Sequence, residues 1–89
     1  MVKWSLVYTR QAEKDAALAA KAGLRLRIES LLTLLARDPF GVPPPLKKLL
    51  GDLAGAYSRR INLQHRLVYQ VLTQQRTVKI LRLWTHYGE

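Results

Sequence analysis

Apolar residues recur along this chain in two rhythms. From Arg10 to Ala22 they form a thin stripe of Ala12, Ala16, Ala19 and Ala20 in a segment rich in Ala, Lys and Glu, all strong helix formers. Thr9 stands where an N-cap belongs, and Gly23 where a glycine ends a helix. Leu24, Ile28, Leu31, Leu32 and Leu35 then repeat at helical spacing as far as Asp38-Pro39, which predicts a second helix in tandem. The other rhythm is strand-like. Val2 to Tyr8 carries it before the helices, and Ala56 to Leu63, His65 to Thr73 and Thr77 to Tyr87 carry it after them.

Gly41-Val42-Pro43-Pro44-Pro45 lies between the halves, where neither helix nor ladder pairing can form over several residues, so it reads as an extended surface loop. Leu46 to Leu53 leads on to a turn-like Gly55. The order predicts a two-layer α+β domain, β-α-α-β-β-β, with an antiparallel sheet and both helices on one of its faces. Residues 1–89 suffice for one modest core, so a single domain is expected.

Alternation assigns side chains to faces. Leu67, Tyr69 and Val71 fall together, opposite Arg66, Val68 and Gln70; Leu81 and Leu83 oppose Arg82, Trp84 and His86; Ile61 and Leu63 oppose Ser58, Arg60 and Asn62. If the apolar sets face the helices, Arg60, Arg66, Arg82 and His86 converge on the helix-free face. Solvent-facing strand positions are commonly charged, so the cluster alone does not establish a site.

Charge sharpens this picture. Fifteen Lys and Arg against six Asp and Glu give a formal +9, a field suited to polyanions. Residues up to Pro45 carry seven basic and four acidic groups, and the rest carry eight and two, so the C-terminal half is the electropositive one. Apolar residues make up 48% and are spread along the whole length, which argues for a folded core rather than a basic arm. Zero cysteines exclude disulfides, thiolate metal sites and a Cys nucleophile. Met1-Val2-Lys3-Trp4 lacks the apolar run of a signal peptide and no stretch approaches membrane-spanning length, so a cytoplasmic protein without membrane contact is expected.

Metal-independent cleavage of RNA needs a 2′-OH to attack the neighbouring phosphorus, a base, an acid and cations for the equatorial oxygens. Arg66 is the first choice for the cation, because a guanidinium forks two phosphate oxygens and stays charged. His86 is the natural acid or base near neutrality. Tyr87 could orient the phosphate, stack on a base or donate a proton. His65 alternates away from Arg66 and reads as structural.

Tyr57-Ser58-Arg59-Arg60-Ile61, His65-Arg66-Leu67-Val68-Tyr69 and the late His86-Tyr87, together with Asp38-Pro39-Phe40 and Pro45-Leu46-Lys47, resemble the YoeB/Txe toxins of the RelE/ParE superfamily. The resemblance covers most of the chain in order and is densest from Pro45 to Tyr87. It implies a RelE-like microbial ribonuclease fold. It also implies a toxin of a type II toxin-antitoxin pair that enters the ribosomal A site and cuts mRNA with neither metal nor cofactor, so inhibiting translation. Carried over by position, Arg66 matches the phosphate-stabilising arginine, His86 the proton donor and Tyr87 the terminal active-site tyrosine, while Lys47, Arg59 and Arg60 match positions that hold the RNA backbone. The implied partners are a cognate antitoxin, the ribosome and its mRNA; relatives also form homodimers, which this sequence does not establish.

One position departs from the family pattern. The family has Pro-Glu-Pro-Leu-Lys with the glutamate as general base, and this chain has Pro43-Pro44-Pro45-Leu46-Lys47. Pro44 cannot accept a proton. Either His86 takes a larger share of proton transfer, or electrostatic stabilisation carries a slower reaction. The missing glutamate keeps a ParE-like toxin that binds DNA gyrase as an alternative, and charge alone would also suit a nucleic-acid-binding module without catalysis. Gly88-Glu89 extends past the position where relatives commonly stop.

Overall fold

The computed structural model describes residues 3–42, 44–49 and 55–85. Within them the chain runs β1 (Ser5–Tyr8), α1 (Arg10–Lys21), α2 (Arg25–Arg37), β2 (Leu46–Lys48), β3 (Ala56–Arg60), β4 (Arg66–Leu72) and β5 (Thr77–Thr85). Helix starts and stops follow local chemistry. The Thr9 hydroxyl accepts from the Ala12 amide at 3.0 Å, satisfying one of the unpaired donors of the first turn. After α1 the chain turns through Gly23 at φ 82°, a left-handed conformation that glycine adopts without a Cβ penalty, and the Leu24 amide closes onto the Ala19 carbonyl.

The five strands form one sheet in the order β1-β5-β4-β3-β2. β1 runs parallel to β5, and all other neighbours are antiparallel. The architecture is the expected α+β one with two differences. Leu46–Lys48 adds an edge strand beside β3, and the parallel β1 makes the sheet mixed rather than antiparallel. Both have the same cause: the tandem helices carry the chain across one face to the far edge, and three antiparallel steps return it beside β1. Ala12, Ala19, Ile28, Leu31 and Leu35 of the helices pack on Ile61, Leu67, Tyr69, Val78, Ile80 and Leu83. A smaller cluster of Leu49, Ala56, Val68 and Leu81 lies on the other face.

β5 does not alternate evenly. Its pairing with β4 shifts between Tyr69↔Ile80 and Val68↔Arg82, and again before Arg66↔Thr85, so β5 contains extra residues that re-aim its side chains. Leu81 therefore joins the small cluster while Leu83 stays in the main core, although an even strand would put them on one face. Leu63, expected beside Ile61, is exposed in the turn after β3, where Asn62 Oδ1 accepts from the amides of Gln64 and His65. No helix among the described residues is long and apolar enough to cross a membrane.

Candidate active site

Opposed residues in an antiparallel ladder share a face. Arg60 pairs with Arg66 across β3 and β4, Ser58 pairs with Val68, and Lys47 on β2 pairs with Ser58. Tyr57, Leu67 and Tyr69 lie with the helices, so Lys47, Ser58, Arg60 and Arg66 belong to the opposite, helix-free face. The described acidic residues are Glu13 and Asp15 on α1, Glu29 on α2 and Asp38 at its end; none is on a strand. The face is thus cationic, with no described carboxylate from its own strands.

Arg66 is half-buried and lightly held. Its Nη1 donates to Ser58 Oγ at 3.4 Å, near the limit of a hydrogen bond, and its buried Nε has no acceptor among the described residues. An unsatisfied donor on a cation is costly unless an anion takes it. Arg60 is exposed and donates to the Leu63 carbonyl at 3.1 Å. Lys47 is exposed on the edge strand. Arg66 also pairs with Thr85, the last described residue of β5. His86 and Tyr87 follow it in the sequence and lie outside the described residues. Pro44, at the register of the family glutamate, is described and offers only its backbone carbonyl to the contacts around it.

Arg59, expected at the RNA backbone, is placed elsewhere. It is fully buried on the helix side and donates from Nε to Tyr69 Oη (3.0 Å), from Nη1 to the Pro44 carbonyl (2.6 Å) and from Nη2 to the Pro39 carbonyl (3.0 Å). Tyr69 Oη donates in turn to Pro39 (2.7 Å). Burial pushes the Tyr69 phenol above its ordinary value, against the opposing pull of the Arg59 cation. With each of its three guanidinium nitrogens hydrogen-bonded, Arg59 ties the end of α2 and the proline loop to the sheet. No surface is left for a phosphate.

Arg82 likewise leaves the basic face. Its Nε donates to Asp15 Oδ2 on α1 at 2.7 Å, and the Leu83 amide donates to the same oxygen at 3.0 Å. Gln11 Nε2 donates to Asp15 Oδ1 at 3.0 Å. Burial raises the Asp15 pKa, but the bonds from Arg82, Gln11 and Leu83 and the Arg82 charge outweigh it and hold the carboxyl below its ordinary range. His65 is buried with its ring stacked on Trp84 at 3.8 Å, in keeping with a structural residue.

Sequence patterning overlooked two residues here. Ser58 is fully buried beside Arg66, and its place on the outer face followed from alternation. Asp15 sits inside the alanine stripe of α1, and an acid among Ala12, Ala16 and Ala19 was the available signal of a buried charge needing a partner.

The chain matches the family described as YoeB-like toxin of bacterial type II toxin-antitoxin system over residues 7–87. Toxin YoeB of Streptomyces coelicolor is 47% identical over 64 residues, covering 68% of this chain and 70% of that protein. A YoeB/ParE toxin from Agrobacterium tumefaciens superposes with a TM-score of 0.84 at 30% identity, over 93% of this chain and 99% of that one. YoeB of Staphylococcus aureus, solved as a dimer and as a heterotetrameric YoeB-YefM toxin-antitoxin complex, gives a TM-score of 0.78 at 31% identity in both, over 96% and 94% of this chain and 99% and 98% of those. The Streptomyces and Agrobacterium relatives are named as toxins, and the S. aureus complex as a toxin-antitoxin one. The chain belongs to the YoeB-like toxin family of the RelE/ParE superfamily.

Proposed function

We propose that this toxin is a ribosome-dependent endoribonuclease that cuts mRNA in the A site and thereby stops translation in the bacterial cytoplasm. The observation that carries the reading is the state of Arg66: a half-buried guanidinium on the cationic sheet face, with one weak bond and a buried Nε without an acceptor among the described residues. A phosphodiester supplies what that group lacks. Its equatorial oxygens take both Nε and an Nη of the fork, and they gain charge as the transition state forms, so the bond tightens when it matters.

The reaction is attack of the 2′-oxygen on the adjacent phosphorus. The 2′-O–P bond forms as the 2′-O–H and P–O5′ bonds break, the 2′ proton passing to water, leaving a 2′,3′-cyclic phosphate and, once O5′ is protonated, a 5′-hydroxyl. Arg66 stabilises the phosphorane. His86, next in the chain after the residue paired with Arg66, returns a proton to the leaving 5′-oxygen. Tyr87 orients the phosphate or the base. Lys47 and Arg60 hold neighbouring phosphates. Among the described residues no carboxylate replaces the family glutamate on this face, so the site works chiefly by electrostatic stabilisation and by His86. Arg59 acts only through the proline loop.

Partners follow from the same field. A cognate antitoxin, like the YefM of the S. aureus complex, neutralises the toxin by covering the basic face or by displacing the Tyr87 end, and a homodimer is a form the S. aureus relative also takes. The test is cleavage of mRNA on programmed ribosomes by wild type, Arg66→Ala and His86→Ala. Cutting by the first and loss in the other two, with ribosome association retained, is expected; intact mRNA with inhibited gyrase would transfer the protein to the ParE-like alternative.

A further inference from the structure

The bulged end of β5 is held from the helix layer. A bulge takes backbone groups out of the ladder, and they need other partners. Here α1 and its cap supply them: Thr9 Oγ donates to the Leu81 carbonyl at 3.0 Å, and Asp15 accepts from the Leu83 amide at 3.0 Å. Asp15 is 1% exposed, and it also fixes the Arg82 side chain, whose Nη2 reaches the Trp84 carbonyl at 3.4 Å. Three consecutive positions of β5 are thus pinned to one helix, 67 and 68 residues distant in sequence for the Asp15 bonds. Two residues past this clamp, Thr85 pairs with Arg66.

From this we infer that Asp15 is a positioning residue for RNA cleavage: by fixing the β5 bulge it sets the register in which the strand reaches Arg66, without touching RNA itself. The inference rests on the ribonuclease reading and deepens it. A carboxylate does this better than an amide would, since it accepts from Arg82 and Leu83 on one oxygen and from Gln11 on the other. Without it the strand end keeps its covalent connection but gains alternative registers, and a misplacement of about 1 Å at the reacting groups costs up to about 10²-fold in rate.

The test uses the full chain, with single-turnover cleavage on programmed ribosomes and site-resolved amide hydrogen exchange. Asp15→Asn is expected to cut about 10-fold or more slowly at saturation, with ribosome Kd within about twofold of wild type and faster exchange confined to residues 81–85. Arg82→Lys keeps a cation but loses the fork, so a smaller loss in the same direction is expected; it carries the test if Asp15→Asn does not fold. Arg25→Ala, which breaks the exposed Arg25–Glu29 pair on α2, is expected to leave cleavage unchanged. Asp15→Asn or Arg82→Lys cutting at the wild-type rate, or exchange in either rising equally in every element, would overturn the positioning role. Wild type that cuts no mRNA would instead overturn the ribonuclease reading, and this inference with it.

Discussion

Arg60 and Arg66 stand directly opposite one another across β3 and β4, two guanidinium groups forming a ladder pair on the helix-free face. Like charges in that relationship oppose folding by a few tenths of a kcal/mol to about 1 kcal/mol. No described strand residue supplies a carboxylate to offset it. The arrangement makes sense when a phosphate backbone lies over the pair.

Replacing either arginine therefore separates function from stability. Arg66→Ala is expected to lower the cleavage rate by about 10² to 10³, the scale of losing one donor to a developing oxyanion, with Tm unchanged or slightly raised. Arg60→Ala is expected to weaken ribosome binding and reduce its salt dependence while cutting persists once bound. Thermal melts beside single-turnover kinetics check both.

Arg59 should show the opposite profile. Arg59→Met keeps most of the volume but leaves the Pro44 carbonyl without its 2.6 Å donor and Tyr69 Oη without a 3.0 Å one. A loss of about 2–4 kcal/mol is expected from stranding buried polar groups, measured by urea unfolding. Any fall in cleavage should track the fraction unfolded.

Acid titrates the β5 clamp. The folded Asp15 carboxyl sits below its unfolded value, ordinarily about 3.9, so its stabilisation is complete above the unfolded value and disappears as pH falls through the folded one. Wild type is thus expected to lose stability on descending below about pH 4, and Asp15→Asn to start lower and show a flatter acid limb. Unfolding midpoints between pH 2.5 and 7 give the comparison.

The missing glutamate offers a gain-of-function test. Pro44→Glu places a carboxylate at the family register, where the loop backbone is already tied down by Arg59. A positioned general base contributes about 10² to 10⁴; an increase of at least about 10-fold in the cleavage step is expected, measured by single-turnover kinetics at neutral pH.

How much of this was readable beforehand varied with the physics of each residue. Thr9, Gly23 and the leucine spacing of α2 placed the helices because caps and periodicity are local signals. The outer position of Arg66 and Arg60 followed from two-residue alternation, which β3 and β4 obey. Arg59 is two residues from Ile61 and so shares its inner face, a step the face assignment left out, and the family pattern, which records identity rather than direction, pointed it at RNA. Arg82 was misplaced for a different reason: β-bulges depend on long-range contacts with α1, and no nearby residue announces them. The edge strand Leu46–Lys48 is three residues long, too short for any period to show.

Arg66 and the end of β5 are proposed to close around one phosphodiester of mRNA. The most direct test is mapping the termini of mRNA left on programmed ribosomes by wild-type toxin and by Arg66→Ala. A single cut in the A-site codon bearing a 2′,3′-cyclic phosphate and a 5′-hydroxyl, with wild type only, is expected. Intact mRNA, or products ending in 3′-hydroxyl and 5′-phosphate, would contradict the proposal.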